Sequence, residues 1–255
     1  MIKPKKHLGQ HFLHDKRIAE KIASLVADPP EGYLIEVGPG TGALTNYLLL
    51  RGFSVTAIEK DTEAIEYLAK HFSKNTKLTV IQNDILLYDF QSLTNSILVG
   101  NLPYNISGSF FFELASAYSK IQQGVFMIQY EVAQRLISRP KNKNYGILSV
   151  LLGYGFEISI AFTVGPGAFS PPPKVTSAVV VLKQRKTIPT PVTNWKDFCM
   201  LVKQAFSQRR KMLRNTLPEH QFTLPENLKQ CRAEELSIND FVSLANTYTE
   251  RALKR

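Results

Sequence analysis

The sequence predicts an α/β protein with a doubly wound, mostly parallel β-sheet that carries an antiparallel pair of strands at its edge, followed by a small α-helical C-terminal domain. Short apolar, β-rich runs alternate with segments of helical periodicity, which predicts the parallel sheet. The last two such runs are too close in sequence for a crossover connection, which predicts the antiparallel pair. A change of composition after residue 186 predicts the second domain.

Five apolar runs predict the parallel strands. Each is short, and the segments between them place apolar residues on one helical face, which is the alternation that βαβ units produce. The predicted strands are YLIEV (33–37), SVTAI (54–58), LTVI (78–81), SILV (96–99) and GVFMI (124–128). The helical faces are carried by Ile18, Ile22, Leu25 and Val26 before the first strand and by Ala64, Ile65, Leu68 and Phe72 after the second.

The next two β-like runs predict the antiparallel pair. EISIAFTV (157–164) and KVTSAVVVLK (174–183) are separated only by GPGAFSPPP. Parallel neighbours need a crossover of a dozen residues or more, so this short connection favours antiparallel strands.

The C-terminal part of the chain predicts a separate helical domain. TIPTPVTN (187–194) has the composition of a linker, and the pattern from Trp195 onward is helical. Its last helix is preceded by a capping box, SIND (237–240), in which Asp replaces the usual Glu. We therefore expect one domain over residues 1–188 and a second over residues 189–255.

The composition indicates a globular protein with an anionic partner. The chain has 255 residues, 44% of them hydrophobic, which is enough for a sizeable core. Its 31 Lys and Arg against 21 Asp and Glu give a net charge of +10, which favours nucleic acid as the partner. Cys199 and Cys231 lack the spacing of metal ligands, so we expect reduced thiols and no metal. Without an apolar leader or a membrane-spanning run, the sequence predicts a cytoplasmic protein.

Three glycines lie where the first predicted strand ends and a helix begins, in IEVGPGTGALT. Gly38, Gly40 and Gly42 allow a ligand to approach the backbone closely, and amides of the helix N-terminus point into the same space. The spacing differs from the G-x-G-x-x-G of dinucleotide sites, and the Gly-Lys-Ser/Thr of a phosphate loop is missing from the sequence. The loop predicts a ligand other than a polyphosphate; the alternative interpretation is a plain tight turn.

Acidic residues follow the next two predicted strands. Glu59 ends the second strand, about 20 residues past the glycines, where an acidic side chain in a doubly wound fold accepts a ribose hydroxyl, and Asp84 follows the third strand. Each alone is better explained as a helix cap or a solvated loop residue. Together with the glycines they line one crevice at the C-terminal edge of the sheet. This set suits a nucleoside without phosphates, and we expect S-adenosylmethionine as the cofactor.

The segment NLPY ends the fourth predicted strand at the same edge. The exocyclic amine of adenine is a poor nucleophile because its lone pair is delocalised into the ring. The side-chain oxygen of Asn101 and the backbone carbonyl of Leu102 can accept the two amine hydrogens and turn the lone pair toward a methyl donor. Pro103 stiffens the loop, and Tyr104 offers a face on which an extruded base can stack. The alternative interpretation is an Asx-Pro turn that leads to a helix cap at Ser107.

Five segments over nearly the whole chain carry a resemblance to a known family. They are HLGQHFL (7–13), EVGPGTGALT (36–45), NLPYNIS (101–107), GAFSPPPKVTSAVV (167–180) and FSQRRKMLRN (206–215). With them the chain resembles the rRNA adenine N6,N6-dimethyltransferases of the bacterial KsgA type, and the last two segments are the specific ones. The resemblance implies a Rossmann-like methyltransferase that adds two methyl groups to each of two adjacent adenosines in the 3′-terminal hairpin of small-subunit (16S) rRNA, late in assembly of the subunit.

The resemblance also implies the residues of the site. Phe169 falls near the target base, opposite Tyr104, although an aromatic residue beside a Pro-rich turn is equally compatible with the core. The position of His11 is more often Asn in relatives. The implied cofactor contacts are His11, Leu13, Gly38, Gly40, Glu59, Asp84 and Asn101.

The stretch from Phe198 to Pro218 is basic and contains no acidic residue. We expect it to bind RNA phosphates, with the flipped base supplying selectivity, although a basic helix is often only a solvated face. The expected partner is small-subunit rRNA in a pre-30S particle, and the protein is expected to act as a monomer. The basic residues are Lys203, Arg209, Arg210, Lys211 and Arg214, with a second cluster at Lys3, Lys5 and Lys6.

Two other functions share some of these motifs. One is an erythromycin-resistance methyltransferase acting on large-subunit rRNA, against which FSPPPKV and QRRKMLRN argue. The other is a non-catalytic RNA-binding assembly factor or a transcription factor derived from the same fold. Against that function, the glycine loop, Glu59 and NLPY are all intact.

Overall fold

The chain folds into two compact units, described in a computed structural model. The first unit comprises residues 1–133 and 157–184, and the second comprises residues 134–156 and 185–255. Residues 134–156 thus group with the C-terminal helices, which the linear change of composition did not predict. The expected domain boundary near residue 188 stays a prediction. The structure describes residues 4–5, 8–28, 34–188, 190–218 and 222–252.

The first unit is built around β-strands, and a strand covers most of each predicted run, although β3 begins at Val55 rather than Ser54 and β9 begins at Ser177 rather than Lys174. Tyr33, the first residue of the first predicted run, lies outside the described residues. In chain order the strands are β1 (Phe12–Leu13), β2 (Leu34–Val37), β3 (Val55–Glu59), β4 (Leu78–Gln82), β5 (Ser96–Asn101), β6 (Ile121–Gln129), β7 (Phe156–Val164), β8 (Phe169–Ser170) and β9 (Ser177–Gln184).

A mostly parallel sheet orders seven of these strands as β4-β3-β2-β5-β6-β9-β7. The strands from β4 to β6 are parallel, because each follows a crossover connection. β9 runs antiparallel to β6 and lies between β6 and the edge strand β7. The predicted fold class is confirmed, and the C-terminal ends of the parallel strands meet at one edge of the sheet.

Helices connect the strands, and side-chain caps explain where several begin. The carboxylate of Asp15 accepts from the backbone N–H of Arg17 at 2.9 Å and starts the first helix. The predicted capping box is confirmed, since Ser237 and Asp240 exchange backbone-to-side-chain hydrogen bonds of 2.8 and 3.2 Å. The helices are α1 (Lys16–Leu25), α2 (Ala43–Leu50), α3 (Thr62–His71), α4 (Ser107–Ser116), α5 (Tyr130–Leu136), α6 (Ile147–Gly155), α7 (Trp195–Ala205), α8 (Leu213–Thr216), α9 (Glu226–Lys229) and α10 (Ile238–Ala252).

A small second sheet was not predicted. Strands β1 and β8 pair antiparallel, with Phe12 opposite Ser170 and Leu13 opposite Phe169. Strands of two residues carry no periodicity, so the sequence pattern gave no sign of them. The pairing joins two of the segments that carry the family resemblance and holds the N-terminal segment beside the main sheet.

The second unit has a helical core of its own. Large apolar side chains of α7 and α10 are fully buried, among them Phe198, Leu201 and Phe241. Rings of Tyr145 and Phe206 meet edge to face, with centroids 6.0 Å apart. Within the described parts of both units, every helix is too short or too polar to cross a membrane.

Candidate active site

A cavity opens in the first unit at the C-terminal edge of the parallel strands. Its wall holds ten of the eleven residues predicted to bind cofactor or to act on the base, and only Phe169 is missing. The loop after β5 faces this cavity, so a void separates it from the glycine turn. The predicted residues on the wall are His11, Leu13, Gly38, Gly40, Glu59, Asp84, Asn101, Leu102, Pro103 and Tyr104.

The glycines of the turn lie in the left-handed region of the backbone. Gly38 has a φ of +63°, and a Cβ built there would meet no atom within 4 Å, so the space beside it is open to the cavity. Gly40 has a φ of +55°, and a Cβ there would lie 2.9 Å from the ring of Phe12. The first glycine leaves room for a ligand, and the second leaves room for the N-terminal segment.

Gly38→Ala is expected to weaken cofactor binding by at least about tenfold, because its methyl group would enter the space beside the turn and its φ disfavours any side chain. Isothermal titration with S-adenosylmethionine measures the effect. Gly52→Ala is the matched control, since Gly52 also has a positive φ (+87°) but lies in the turn before β3, at the opposite edge of the sheet. Equal affinities for the two variants would contradict the assignment of this turn to the cofactor.

Glu59 ties the glycine turn to the end of β3. Its Oε2 accepts from the backbone N–H of Gly40 at 3.1 Å, and its Oε1 accepts from the N–H groups of Lys60 and Asp61, both at 2.9 Å. The residue is only 7% exposed, and burial raises the pKa of its carboxyl while the three N–H groups oppose that change. A carboxylate oxygen can accept two hydrogen bonds, so Oε2 retains capacity for a ribose hydroxyl.

A second buried acid, Glu36, was not predicted as a site residue. It lies on β2 at 1% exposure and lines the cavity, and neither its Oε2 nor the nearby hydroxyl of Thr45 has a hydrogen-bond partner among the described residues. Burial raises the pKa of Glu36 to about 8; Thr45 opposes this rise, and the charge of Glu59 adds a smaller contribution to it. The feature of the sequence that could have pointed to Glu36 is its charge within the otherwise apolar run LIEV.

Glu36→Gln is expected to reduce the pH dependence of stability. Below its ordinary pKa of 4.5 the Glu36 carboxyl is protonated in both states. As the pH rises, only the unfolded state releases the proton, so the wild-type free energy of unfolding falls until the pH passes about 8. Gln cannot ionise, and the difference between the proteins should reach a few kcal/mol, about 1.4 kcal/mol per unit of pKa shift at most.

Urea unfolding at a series of pH values measures this difference. Glu66→Gln, at an exposed position of α3, is the control. If the free energy of unfolding changed with pH in the same way for the wild type and Glu36→Gln, the pKa of Glu36 would not be raised in the folded protein, and the prediction would be wrong.

Asp84 brings an ionised acid to the cavity. Its Oδ2 pairs with the ammonium of Lys60 at 2.8 Å, and its Oδ1 accepts from the N–H of Leu86 at 3.0 Å. The hydrogen bond from Lys60 is the main reason why the pKa of Asp84 is lowered. Asp84 therefore caps a short helical turn, as the alternative interpretation proposed, and also faces the cavity.

Asp61 holds the N-terminal segment in place through two hydrogen bonds. Lys5 donates to Asp61 Oδ1 at 2.7 Å, and Gln10 donates to Asp61 Oδ2 at 2.9 Å. Burial opposes ionisation of Asp61, but these two partners lower its pKa overall. Of the predicted N-terminal basic cluster, Lys5 is committed to this contact, whereas Lys3 and Lys6 lie outside the described residues.

The loop after β5 is held from two sides. Asn101 donates from Nδ2 to the backbone carbonyl of His11 at 2.9 Å, so its Oδ1 is the atom left to accept from a ligand. The N–H of Leu102 donates to the carbonyl of Met127 at 3.1 Å, and its side chain is buried, so this residue can offer the site only its backbone. The loop thus keeps two oxygens at fixed positions.

Tyr104 is fixed by its hydroxyl, which lies 2.6 Å from Oγ of Ser177. Burial raises the pKa of Tyr104, and the contact with Ser177 opposes this rise. The ring of His11 lies 5.3 Å from the ring of Tyr104, centroid to centroid, and its Nδ1 lies 2.7 Å from the carbonyl oxygen of Pro171. The side chain of His11 therefore engages Tyr104 and Pro171, while its backbone orients Asn101.

The structure does not bring Phe169 into the cavity. Its ring is 2% exposed and belongs to the hydrophobic core, because the pairing of β8 with β1 turns it inward. This is the core position that the alternative interpretation described. A stacking contact with the target base would require the ring to become exposed, and that role stays a prediction.

The predicted RNA-binding residues of the second unit are all exposed, but they do not form one basic helix. Lys203 lies on α7, Arg214 lies on α8, and the other three occupy the turn between these helices. Arg209 donates to the backbone carbonyls of Lys143 and Tyr145 at 2.8 and 2.9 Å and pairs with Glu234 at 3.3 Å. Its guanidinium therefore supports the unit itself.

A doubly wound sheet with a glycine turn, a carboxylate at the next strand end and an Asn-Leu-Pro-Tyr loop facing one cavity defines a methyltransferase that acts on an amino group. The chain matches the family model described as ribosomal RNA adenine dimethylase over residues 1–250, and it belongs to that family. The match confirms the predicted family and enzyme class, and S-adenosylmethionine is the methyl donor of the reaction.

Curated relatives cover the chain almost from end to end. The ribosomal RNA small subunit methyltransferase A of Hydrogenovibrio crunogenus is 42% identical over 257 residues, which is 96% of this chain and 96% of the relative. The proteins of the same name from Francisella tularensis subsp. novicida and Pseudomonas syringae pv. tomato are 41% and 39% identical, over 96% and 98% of this chain and 97% and 96% of the relatives.

Solved structures share the fold at lower identity. A dimethyladenosine transferase from Plasmodium falciparum has a TM-score of 0.80 at 24% identity, covering 95% of this chain and 98% of its own. The 23S rRNA methyltransferase ErmE has a TM-score of 0.70 at 22% identity, covering 93% and 99%. Both likenesses extend over the sheet and the helical second unit.

Proposed function

We propose that this protein dimethylates N6 of two adjacent adenosines in the 3′-terminal hairpin of 16S rRNA, acting as a monomer on pre-30S particles in the cytoplasm during small-subunit biogenesis. The observation that carries the proposal is the fixed orientation of Asn101. Because its amide nitrogen donates a hydrogen bond to the carbonyl of His11, its amide oxygen is the atom that can accept a hydrogen bond from a ligand in the cavity.

The cavity fits S-adenosylmethionine, which supplies a methyl group on a cationic sulfonium when bound. Glu59 retains an acceptor for a ribose hydroxyl, and the open space beside Gly38 admits a ligand close to the backbone. Asp84 is the ionised acid on the wall, and its carboxylate oxygens can accept hydrogen bonds from a ligand. The carboxylates also suit a ligand that carries positive charge.

The acceptor amine is activated by hydrogen bonding and position. In the first transfer Oδ1 of Asn101 and the carbonyl oxygen of Leu102 would accept its two hydrogens, and in the second transfer one of these oxygens would accept the hydrogen that remains. These hydrogen bonds remove the lone pair from conjugation and direct it toward the methyl group. As the new C–N bond formed, the bond between the sulfonium sulfur and the methyl carbon would break and leave a neutral thioether. The methylated amine would then be a strong acid that loses one proton to water, so no strong base is needed. Tyr104 stacks on the extruded base, which contributes about 1–3 kcal/mol, and the fixed in-line geometry supplies much of the acceleration.

Small-subunit rRNA is the preferred substrate because three relatives near 40% identity carry the name of small-subunit enzymes. The protein is incubated with labelled S-adenosylmethionine and either small subunits lacking the modification or large subunits. We expect label in the small-subunit rRNA alone. Label in the large subunit would favour the erythromycin-resistance type of activity, and binding without label in either would favour a non-catalytic assembly factor.

A further inference from the structure

Two large apolar side chains lie exposed near the C-terminal end of β6. Tyr130, the first residue of α5, is 38% exposed, and Val175, two residues before β9, is 43% exposed. The backbone N–H of Tyr130 donates to the carbonyl of Thr176 at 3.0 Å, so these two segments lie side by side. Most apolar side chains of this size in the described part of the chain are buried.

The backbone places this patch at the same edge of the sheet as Tyr104. Ser177, whose hydroxyl holds Tyr104, is paired in the β6–β9 ladder with Gln129, the residue before Tyr130. Opposed residues of an antiparallel pair have Cα atoms about 5 Å apart. Tyr104 bonds to Ser177, and Tyr130 follows the residue paired with Ser177, so both tyrosines lie at the edge of the sheet where the proposed methylation takes place.

Extrusion of the target base indicates which group could bind to this patch. A base that leaves its stack exposes a face of the flanking base, and an aromatic side chain can replace the lost partner. Lys174 is exposed next to Val175 and can meet a phosphate, whereas Glu131, exposed next to Tyr130, is acidic. Because Lys174 and Glu131 carry opposite charges, the patch has little net charge to attract RNA. It is better suited to bind a nucleobase by stacking.

We propose that Tyr130 and Val175 form a second stacking surface, which receives the nucleobase that flanks the adenosine undergoing methylation. The inference rests on the proposed function, because it assigns the neighbouring nucleotide of the same RNA. It separates two tasks at this edge of the sheet: Tyr104 receives the reacting base, and Tyr130 holds the strand beside it.

The test uses a 3′-terminal hairpin RNA of the small subunit in which 2-aminopurine replaces the nucleotide on one side or the other of the target adenosine. Stacking on an aromatic ring quenches the fluorescence of this base. Tyr130→Ala is expected to lose the quenching at one flanking position and to weaken RNA affinity about tenfold, within the range for one stacked base. Tyr130→Phe should retain both, and the salt dependence of binding should not change in either variant.

Leu50→Ala is the matched control, because Leu50 is 73% exposed at the end of α2, away from the C-terminal edge of the parallel strands. Wild-type quenching and affinity in Tyr130→Ala would overturn the inference and leave the patch to another partner, such as a ribosomal protein. The fluorescence measurement needs no methyl transfer. A wild-type protein that quenches the probe but never methylates RNA would therefore refute the proposed function and leave the stacking surface intact.

Discussion

Asn101→Ala should lower kcat by about a hundredfold or more while changing RNA affinity little. The substitution removes one of the two oxygens that turn the lone pair of the amine, and such interactions act mainly in the transition state. It also removes the donor to His11, so the N-terminal segment loses one of its contacts with the loop. Single-turnover methylation and a separate RNA-binding titration distinguish the two effects.

Asn101→Asp is the informative companion, because it keeps an oxygen acceptor and cannot donate to the carbonyl of His11. We expect it to retain more activity than the Ala variant. Asn46→Ala, at an exposed position of α2, controls for loss of an amide. Wild-type turnover in Asn101→Ala would remove the acceptor role from this side chain.

The combined substitution Arg210→Gln, Lys211→Gln and Arg214→Gln should weaken RNA binding by about a hundredfold at moderate salt. Each lost phosphate contact reduces the slope of log K against the logarithm of the salt concentration by about 0.7 to 0.9. The magnitude of this slope should therefore fall by about two to three. Affinity for S-adenosylmethionine should not change. Arg209 is left in place because it supports the second unit through Lys143, Tyr145 and Glu234.

A matched variant should separate a specific surface from the general attraction of a basic protein. It removes three exposed charges from the first unit instead, and we expect it to lose much less affinity. An equal loss in both variants would show that RNA responds only to net charge. The control positions, each changed to Gln, are Lys16, Lys70 and Lys74.

The sheet and most of the cavity wall were predictable because both follow from local patterns. Parallel strands bury both faces and therefore appear as continuous apolar runs, and their C-terminal ends must meet at one edge. That rule places Gly38, Glu59, Asp84 and Asn101 together without any knowledge of tertiary contacts. The capping box at Ser237 is local for the same reason.

The features that escaped prediction depend on contacts between distant parts of the chain. The pairing of β1 with β8 joins residues more than 150 positions apart and decides that Phe169 is buried. The contact of Lys5 with Asp61 and the use of Arg209 within the second unit are equally non-local. Glu36 was missed as a residue of the cavity wall because one acid in an apolar strand does not show whether its side chain is paired.

Mass analysis of the 3′-terminal fragment of small-subunit rRNA tests the central claim most directly. Subunits that lack the modification are incubated with S-adenosylmethionine and either the wild type or Asn101→Ala, and the fragment is then mapped nucleotide by nucleotide. We predict two methyl groups on N6 of each of two adjacent adenosines with the wild type, and an unmodified fragment after the same time with the variant. Methyl groups on a different atom or a different nucleotide, or equal modification by both proteins, would contradict the account.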